Sequence, residues 1–321
     1  MTPWGILLTT LVLAAELALA VGLAPLLTSV VRRRKSRSQR RTGPSMIQPY
    51  LDLAKLWGKG TVYVESSSAV TRAAPLISFA SLLAAVPFVP WFFLPAPLGF
   101  AGDLIVVVGL LALSRFMTAV AALDAGSTFG GMGSTRDMWI GALFEPTFLL
   151  VIFAWGAPSG STQASTIVLH GATLGAAHLS PALLLASAAF ALLLLAETGR
   201  LPVDNPATHL ELTMVHEAMV LEYGGRDLAL IELGQSLRMV LLLELFVAVL
   251  LPWGIALSFG LAALALALVL LLVKLLAASA LLGELETRVA KWRLFRVADL
   301  AVLSWVLALG SISLTYLVGV G

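Results

Sequence analysis

Long apolar runs separated by short charged segments dominate this chain. A membrane-crossing helix needs about 20 apolar residues, and eight runs approach that length. They cover residues 4–31, 75–95, 103–123, 138–156, 181–196, 228–251, 257–282 and 298–318. The fifth run is short, and the segment 161–180 is a candidate extension of it. The pattern predicts an all-α polytopic membrane protein with about eight transmembrane helices, forming a single membrane domain over residues 1–321.

The distribution of basic residues predicts how these helices are oriented. Of the 20 Lys and Arg residues, 17 lie in loops that follow odd-numbered runs. Cytoplasmic loops carry an excess of Lys and Arg. We therefore expect a multi-pass protein of the inner (cytoplasmic) membrane with both termini on the outer side. The expected cytoplasmic loops are about 32–74, 124–137, 197–227 and 283–297.

Composition narrows the classes of function. Hydrophobic residues make up 59% of the chain and charged residues 12%, about half the charged share of a soluble domain. Cysteine is absent, which excludes disulfides, thiolate zinc sites and iron–sulfur ligation by this chain. The four His residues avoid the middle of the apolar runs, where a haem held by two His would need them. We expect no metal and no cofactor in this chain, contact with lipid, and no nucleic-acid partner.

Two of the expected loops contain structure of their own. Residues 50–57 have apolar side chains at helical spacing, which predicts a short amphipathic helix in the membrane interface. In loop 197–227, a new helix is expected from Pro206 to about Glu222, since Pro suits a first helical turn. The glycine-rich segment Gly130–Gly133 lacks the strand and the GK[ST] ending of a phosphate loop. We expect a flexible turn there.

Ionisable residues inside the apolar runs are the strongest functional signal. Each costs about 2.5–3.5 kcal/mol to insert. They are Glu16, Arg115, Asp124, Glu145, Glu232, Arg238, Glu244 and Lys274. Two interpretations stay open, a buried path that moves protons and a set of ion pairs that fixes helix packing. The size of the set, with Glu145 followed by a helix-breaking Pro146, favours the path.

The loop after the fifth run resembles a known family. Its sequence ETGRLPVDNP, residues 197–206, resembles the E-[TN]-x-R-x-P-x-D-x-P loop of the membrane protein known as subunit 1 of respiratory complex I. Residues 202–223, 43–50 and 123–127 and the pair Glu145-Pro146 are similar to membrane subunits of group 4 [NiFe] hydrogenases, of the formate hydrogenlyase and hydrogenase-4 type. Quinone-reducing relatives usually carry Glu just before the arginine that ends helix one. Here Val31 precedes Arg32, which argues against a quinone chamber.

The resemblance implies a membrane-anchoring and proton-coupling subunit of a hydrogenase complex, without a catalytic centre of its own. The nickel–iron centre and the iron–sulfur clusters are expected in partners, namely the hydrogenase large and small subunits and iron–sulfur subunits. Antiporter-like membrane subunits are further partners. Two alternatives stay open, subunit 1 of a quinone-reducing NADH dehydrogenase (complex I) and a stand-alone transporter or structural anchor.

The same resemblance implies roles for particular residues. The proton path is expected to contain Glu145, Glu197, Glu211, Glu222 and Asp124. Loop-positioning roles are expected for Arg200, Asp204 and Arg226.

Overall fold

The fold is built almost wholly from α-helices. The computed structural model describes residues 3–65, 67–204, 215–290, 292 and 294–318. Its α-helices are α1 (Pro3–Ser38), α2 (Gln48–Trp57), α3 (Ala69–Ala85), α4 (Leu104–Asp124), α5 (Thr128–Gly156), α6 (Ala164–Leu174), α7 (Pro181–Glu197), α8 (His216–Met219), α9 (Gly225–Leu250), α10 (Leu261–Arg288) and α11 (Val297–Val318).

Seven of the described helices are long and apolar enough to cross a membrane: α1, α3, α4, α5, α9, α10 and α11. The fifth predicted run forms α7, an apolar helix of 17 residues, which is the lower end of the spanning length. The segment 161–180 does not extend α7, because it forms the separate helix α6 and a 3-10 turn. The predicted all-α polytopic architecture is confirmed.

The helix ends lie at two faces of the bundle. Near the carboxyl ends of α1 and α10, Arg34 Nε lies 3.1 Å from a carboxylate oxygen of Glu284. We call this end, with residues 39–65, 67–68, 198–204 and 215–224, the basic face. At the opposite face the backbones of Phe93 and Ala256 pair in an isolated bridge.

Helices α5, α7 and α9 meet around an aromatic core. The ring of Phe190 on α7 has its centroid 5.6 Å from Phe148 and 4.7 Å from Trp155, both on α5. It also stacks on Phe246 of α9 at 6.1 Å. Close packing of this kind drives helix association in lipid. It fixes the end of α7, where Glu197 lies seven residues after Phe190.

The predicted glycine-rich turn is wrong. Helix α5 begins at Thr128, so the expected loop 124–137 shrinks to residues 125–127. The glycines serve close packing instead. A Cβ on Gly133 would lie 2.7 Å from the carbonyl oxygen of Val215, so glycine lets the chain after the 198–204 loop approach the helix backbone.

Two expectations based on prolines are also corrected. Helix α5 continues through Pro146, since transmembrane helices tolerate proline when neighbouring groups satisfy the freed backbone. Residues 205–214 lie outside the described residues. The remainder of the helix expected to reach Glu222 is the single turn α8, which ends at Met219. The amphipathic helix expected at 50–57 is present as α2, and none of its residues is buried.

Candidate functional site

Four helices bring five charged side chains together inside the bundle. Arg115 of α4 pairs with Glu197 at the end of α7, and its Nε lies 3.7 Å from Asp137 Oδ2. Nη1 of Arg115 lies 3.5 Å from Oε1 of Glu145. Glu145 and Asp137 both belong to α5. Arg238 of α9 approaches the same Glu197 oxygen with Nη1 at 3.3 Å. We call these five residues the arginine–carboxylate cluster.

The side chains of the cluster differ in how much of their surface is exposed. The side chain of Glu197 is 3% exposed and that of Arg115 7%, whereas that of Glu145 is 44% exposed. With every group ionised, three carboxylates face two guanidinium groups, and the cluster carries one excess negative charge. It can therefore accept one proton without leaving an arginine unpaired, which a balanced ion pair cannot do.

Local sequence explains how the guanidinium of Arg115 fits between the helices. A Cβ on Gly141 would lie 2.5 Å from its Nη1 and 3.2 Å from its Cδ. Gly141 lies four residues from both Asp137 and Glu145, so the three share one face of α5. On α9, Arg238 Nη2 donates to the carbonyl oxygen of Leu111 at 2.9 Å, which satisfies part of its hydrogen-bonding capacity.

Two neighbouring cavities lie between the cluster and the basic face. A cavity of about 60 Å³ is lined by four cluster members, Arg115, Asp137, Glu197 and Arg238. A larger one, about 540 Å³, lies between α1, α2, α9 and the loop after α7. The lining residues common to both are Thr198, Gly199, Asp204, His216 and Gln235. A short polar stretch thus separates the buried cluster from the mouth at the basic face.

The loop after α7 is tied to the bundle by a second ionic group. Arg200 pairs with Glu286 of α10 through Nη1, and its Nη2 lies 2.9 Å from Met239 Sδ. The other carboxylate oxygen of Glu286 lies 3.4 Å from Lys35 Nζ on α1. We call Arg200, Glu286 and Lys35 the loop anchor. Asp204, 3% exposed, accepts a hydrogen bond from the backbone of His216 at 3.4 Å.

Other residues expected in the path lie elsewhere. Asp124 caps α3, accepting from the backbone of Ser68 at 2.8 Å and from Thr71 Oγ1 at 2.6 Å. Glu222 is half-buried in the turn after α8 and lines neither cavity. Glu211 lies outside the described residues. Arg226 donates from Nε to the carbonyl oxygen of Trp57 at 3.4 Å.

Two tyrosines tie segments of the basic face to the helices α9 and α3. Tyr63 donates to Asp227 Oδ2 at 2.6 Å, and this hydrogen bond to the carboxylate raises the pKa of Tyr63. Tyr223 donates to the carbonyl oxygen of Thr71 at 2.8 Å, and burial raises its pKa. Both contacts use the neutral phenol, so they persist through the neutral pH range.

Comparison with known proteins identifies the family. A family model described as NADH dehydrogenase matches residues 10–318. The chain belongs to this family. It is 33% identical to Hydrogenase-4 component C of Escherichia coli (strain K12), over 91% of this chain and 93% of that protein. It is 34% identical to Formate hydrogenlyase subunit 4 of the same strain, over 84% of this chain and 87% of that protein.

A solved structure has the same fold. A chain of the membrane-bound sulfane sulfur reductase, an archaeal respiratory membrane complex, superposes with a TM-score of 0.78 at 22% identity, covering 94% of this chain and 99% of that chain. The predicted resemblance to the complex I subunit 1 superfamily and its hydrogenase branch is confirmed. Across the residues described in this NADH dehydrogenase family member, no group of three His, Asp or Glu side chains is arranged to hold a metal ion.

Sequence reasoning missed two acidic members of these ionic groups. Asp137 and Glu286 fall within expected loops, whereas both lie on helices. A helix start at Thr128 would have put Asp137, Gly141 and Glu145 at successive four-residue steps on one face. The opposite signs of the buried charges were a further signal, because charges inside a membrane pair with one another.

Proposed function

We propose that this chain is the membrane subunit of a membrane-bound [NiFe] hydrogenase complex, anchoring the peripheral redox arm and carrying a proton-linked step. Its similarity to Hydrogenase-4 component C and Formate hydrogenlyase subunit 4 over nearly the whole chain supports this assignment. The catalytic nickel–iron centre and the iron–sulfur clusters then belong to the hydrogenase large and small subunits and other iron–sulfur partners. Antiporter-like subunits are the proposed membrane neighbours.

The observation that carries the proton-linked role is the excess carboxylate of the arginine–carboxylate cluster at the end of a polar route. The two cavities share walls at Asp204 and His216, so a proton from the basic face has polar groups beside it as far as Glu197. Arg115 and Arg238 both contact Glu197, and the excess negative charge is shared among Glu197, Asp137 and Glu145. A proton accepted by the cluster converts one of these carboxylates to a carboxylic acid.

Glu145 is the proposed point of transfer out of this chain. Its side chain is 44% exposed on α5, while every other cluster member is more deeply buried. An ionisable group on the flank of a membrane bundle faces a partner or a water-filled path rather than lipid. We propose that Glu145 hands the proton to an antiporter-like neighbour and returns to the carboxylate form.

The loop anchor is the proposed link between the redox arm and this route. Arg200 and Asp204 position the loop between the two cavities, and Glu286 ties that loop to α1 and α10. A movement of the loop by the peripheral arm changes the wall shared by the cavities. The basic face is then the cytoplasmic side of the inner membrane, with both termini outside. Glu211, Glu222 and Arg226 stay predictions for the same loop.

The experiment starts from a tag on this chain, purification of the complex in mild detergent, and mass spectrometry of the co-purifying subunits. A nickel–iron large subunit with viologen-linked hydrogen uptake is the expected result. NADH- or quinone-linked partners without hydrogen activity would move the chain to complex I. Purification without partners, together with solute flux, would favour a stand-alone transporter.

The proton-linked role is tested by Glu197→Gln in proteoliposomes containing the intact complex. We expect viologen-linked hydrogen turnover to persist while proton movement coupled to the full reaction is lost. Glu65→Gln, at an exposed loop carboxylate, is the matched control and should leave both activities unchanged. Normal coupled proton movement in Glu197→Gln would overturn the role of the cluster.

One observation favours a second function, quinone reduction as in subunit 1 of complex I. The 540 Å³ cavity has the volume of a small-molecule site. Its wall is strongly charged, however, with side chains of both signs including Arg32, Asp52 and Glu232, whereas ligand pockets are mostly apolar. Inhibition of the purified complex by quinone-site inhibitors would support quinone reduction over the hydrogenase assignment.

A further inference from the structure

Two fully buried carboxyl groups lie outside the arginine–carboxylate cluster. Glu16 of α1 is 0% exposed and Glu244 of α9 is 1% exposed. Both carboxyl oxygens of Glu16, and Oε2 of Glu244, have no hydrogen-bond partner among the described residues. The main chain of Trp91 approaches Glu16 outside hydrogen-bond geometry. Buried carboxyl oxygens without partners are rare in folded proteins and indicate a role beyond packing.

These groups lie in the half of the bundle remote from the basic face. Glu244 follows Arg238 by six residues on α9, which places it about 9 Å further along the helix axis. Lys274 of α10 approaches Glu244 from the face of the bundle opposite the basic face. It donates to the carbonyl oxygens of Leu251 and Trp253 just beyond the end of α9, at 2.6 Å for Leu251.

A small cavity lies between Glu244 and Lys274. It is lined by Trp91, Glu244 and Lys274 together with apolar side chains, and its volume is about 10 Å³. That is close to the space one water molecule needs. Helix α1 packs against α9 and α10. Among the described residues, the charged neighbour of Glu16 is Glu244, and Lys274 is in turn the charged neighbour of Glu244.

The chemistry of this site selects its ligand. An isolated carboxylate in an apolar interior is costly, so the group takes a proton or a cation. A metal ion would need several oxygen ligands, and the ammonium group of Lys274 on the cavity wall repels it. A proton needs neither space nor further ligands, and it removes the repulsion between Glu16 and Glu244.

We propose that Glu16 and Glu244 form a second proton-binding site, in the half of the membrane opposite the arginine–carboxylate cluster, with Lys274 as its counter-charge. A hydronium ion that reaches the cavity gives its proton to one carboxylate, which becomes a carboxylic acid and leaves a water molecule, and the reverse step returns the proton. The chain then carries proton-exchanging groups in both halves of the membrane. This goes beyond the role proposed for Glu197, and it holds or fails independently of that role.

The test is infrared spectroscopy of the purified complex in H₂O and D₂O. A protonated carboxyl group gives a C=O stretching band that moves on deuteration, and an ionised carboxylate does not. We expect a band of this kind to be lost in whichever of the variants Glu16→Gln and Glu244→Gln removes the protonated carboxyl group. Glu286→Gln is the matched control, because Glu286 is buried but paired with two cations, and it should remove no such band.

Two outcomes decide the proposal. Loss of the deuterium-sensitive band in either variant, with subunit composition intact, supports it. An unchanged band in both variants overturns it, because Glu16 and Glu244 are then ionised and held by other groups. If a variant fails to assemble, Lys274→Gln replaces it in the same measurement. A band that is not shifted in Lys274→Gln would overturn the role of Lys274 as the counter-charge of the site.

A proteoliposome assay separates this proposal from the role of Glu197. If coupled proton movement is lost in Glu197→Gln but not in Glu244→Gln, the second site has no role in transport, and the role of the cluster stands. The reverse pattern would overturn the cluster alone.

Discussion

The two halves of the bundle treat buried carboxylates differently. Near the basic face, Glu197 is shared by Arg115 and Arg238. In the opposite half, Glu16 and Glu244 are at least as deeply buried, yet three of their four oxygens have no described partner. A paired carboxylate holds helices together in its ionised form, whereas an unpaired one is tolerated with a proton. The same residue type thus shares its charge with two arginines in one half, whereas in the other half it has oxygens without a described partner, where we propose that a proton is bound.

The largest effect on stability is expected from removing an arginine of the arginine–carboxylate cluster. Arg115→Met removes the cation shared by three carboxylates and leaves Arg238 as their one counter-charge within the cluster. Breaking a buried ion pair on one side costs about 3–5 kcal/mol. We expect a loss of that size in the free energy of unfolding, measured by titrating the detergent-solubilised protein with a denaturing detergent.

Arg226→Met is the control for that prediction. Arg226 is exposed and donates to a backbone carbonyl, so its removal should cost no more than about 1 kcal/mol. Equal losses in the two arginine variants would mean that the cluster contributes nothing particular to stability.

A smaller effect is expected from crowding the same guanidinium. Gly141→Ala brings a Cβ within 2.5 Å of Arg115 Nη1. A free arginine tip would move aside, but this one is held by three carboxylates, so we expect a loss of about 1–3 kcal/mol, as in other overpacked interiors. Unfolding in denaturing detergent measures it.

Helix α5 also offers a matched control for Gly141. Among the residues that the structure describes, a Cβ on Gly131 meets only Leu123 Cδ2, at 4.0 Å. Gly131→Ala should therefore raise stability by about 0.5–1 kcal/mol through its better helix propensity. Equal gains in both variants would show that the guanidinium is mobile.

Glu145→Gln should have a weaker effect still. The side chain is 44% exposed and lies 3.5 Å from Arg115, and ion pairs open to solvent contribute about 0–1 kcal/mol. We expect the isolated chain to lose no more than this in the same unfolding assay. A loss as large as that of Arg115→Met would contradict the proposal that Glu145 is the accessible member of the cluster.

The helical architecture was largely predictable from sequence, because apolar length determines it. Runs such as 103–123 and 298–318 match α4 and α11 to within one or two residues. The starts of α5 and the ends of α1 and α10 were missed, because charged and glycine residues continue these helices beyond the lipid-length run. Hydropathy reports where lipid begins, while backbone hydrogen bonding decides where the helix ends.

The candidate site was predictable residue by residue only in part. The loop motif pointed to Glu197 and Arg200, and the buried-charge rule pointed to Arg115 and Arg238 without pairing them. Pairing depends on which helix faces meet in the bundle, and one sequence does not contain that information. Asp124 caps α3, a contact that the sequence did not indicate, and its place in the proton path stays a prediction.

The smallest effect on stability is expected from Glu244→Gln, and it gives the most direct comparison of the two halves of the bundle. If the carboxyl group of Glu244 is protonated, an amide of nearly the same shape replaces a neutral acid that has an oxygen without a partner. The free energy of unfolding should then change by less than about 1 kcal/mol, within the range of mild substitutions. Glu197→Gln in the same assay should cost several times more, because it leaves two guanidinium groups facing one neutral amide. Comparable losses in the two variants would mean that Glu244 is held in an ion pair, and the difference between the two halves of the bundle would disappear.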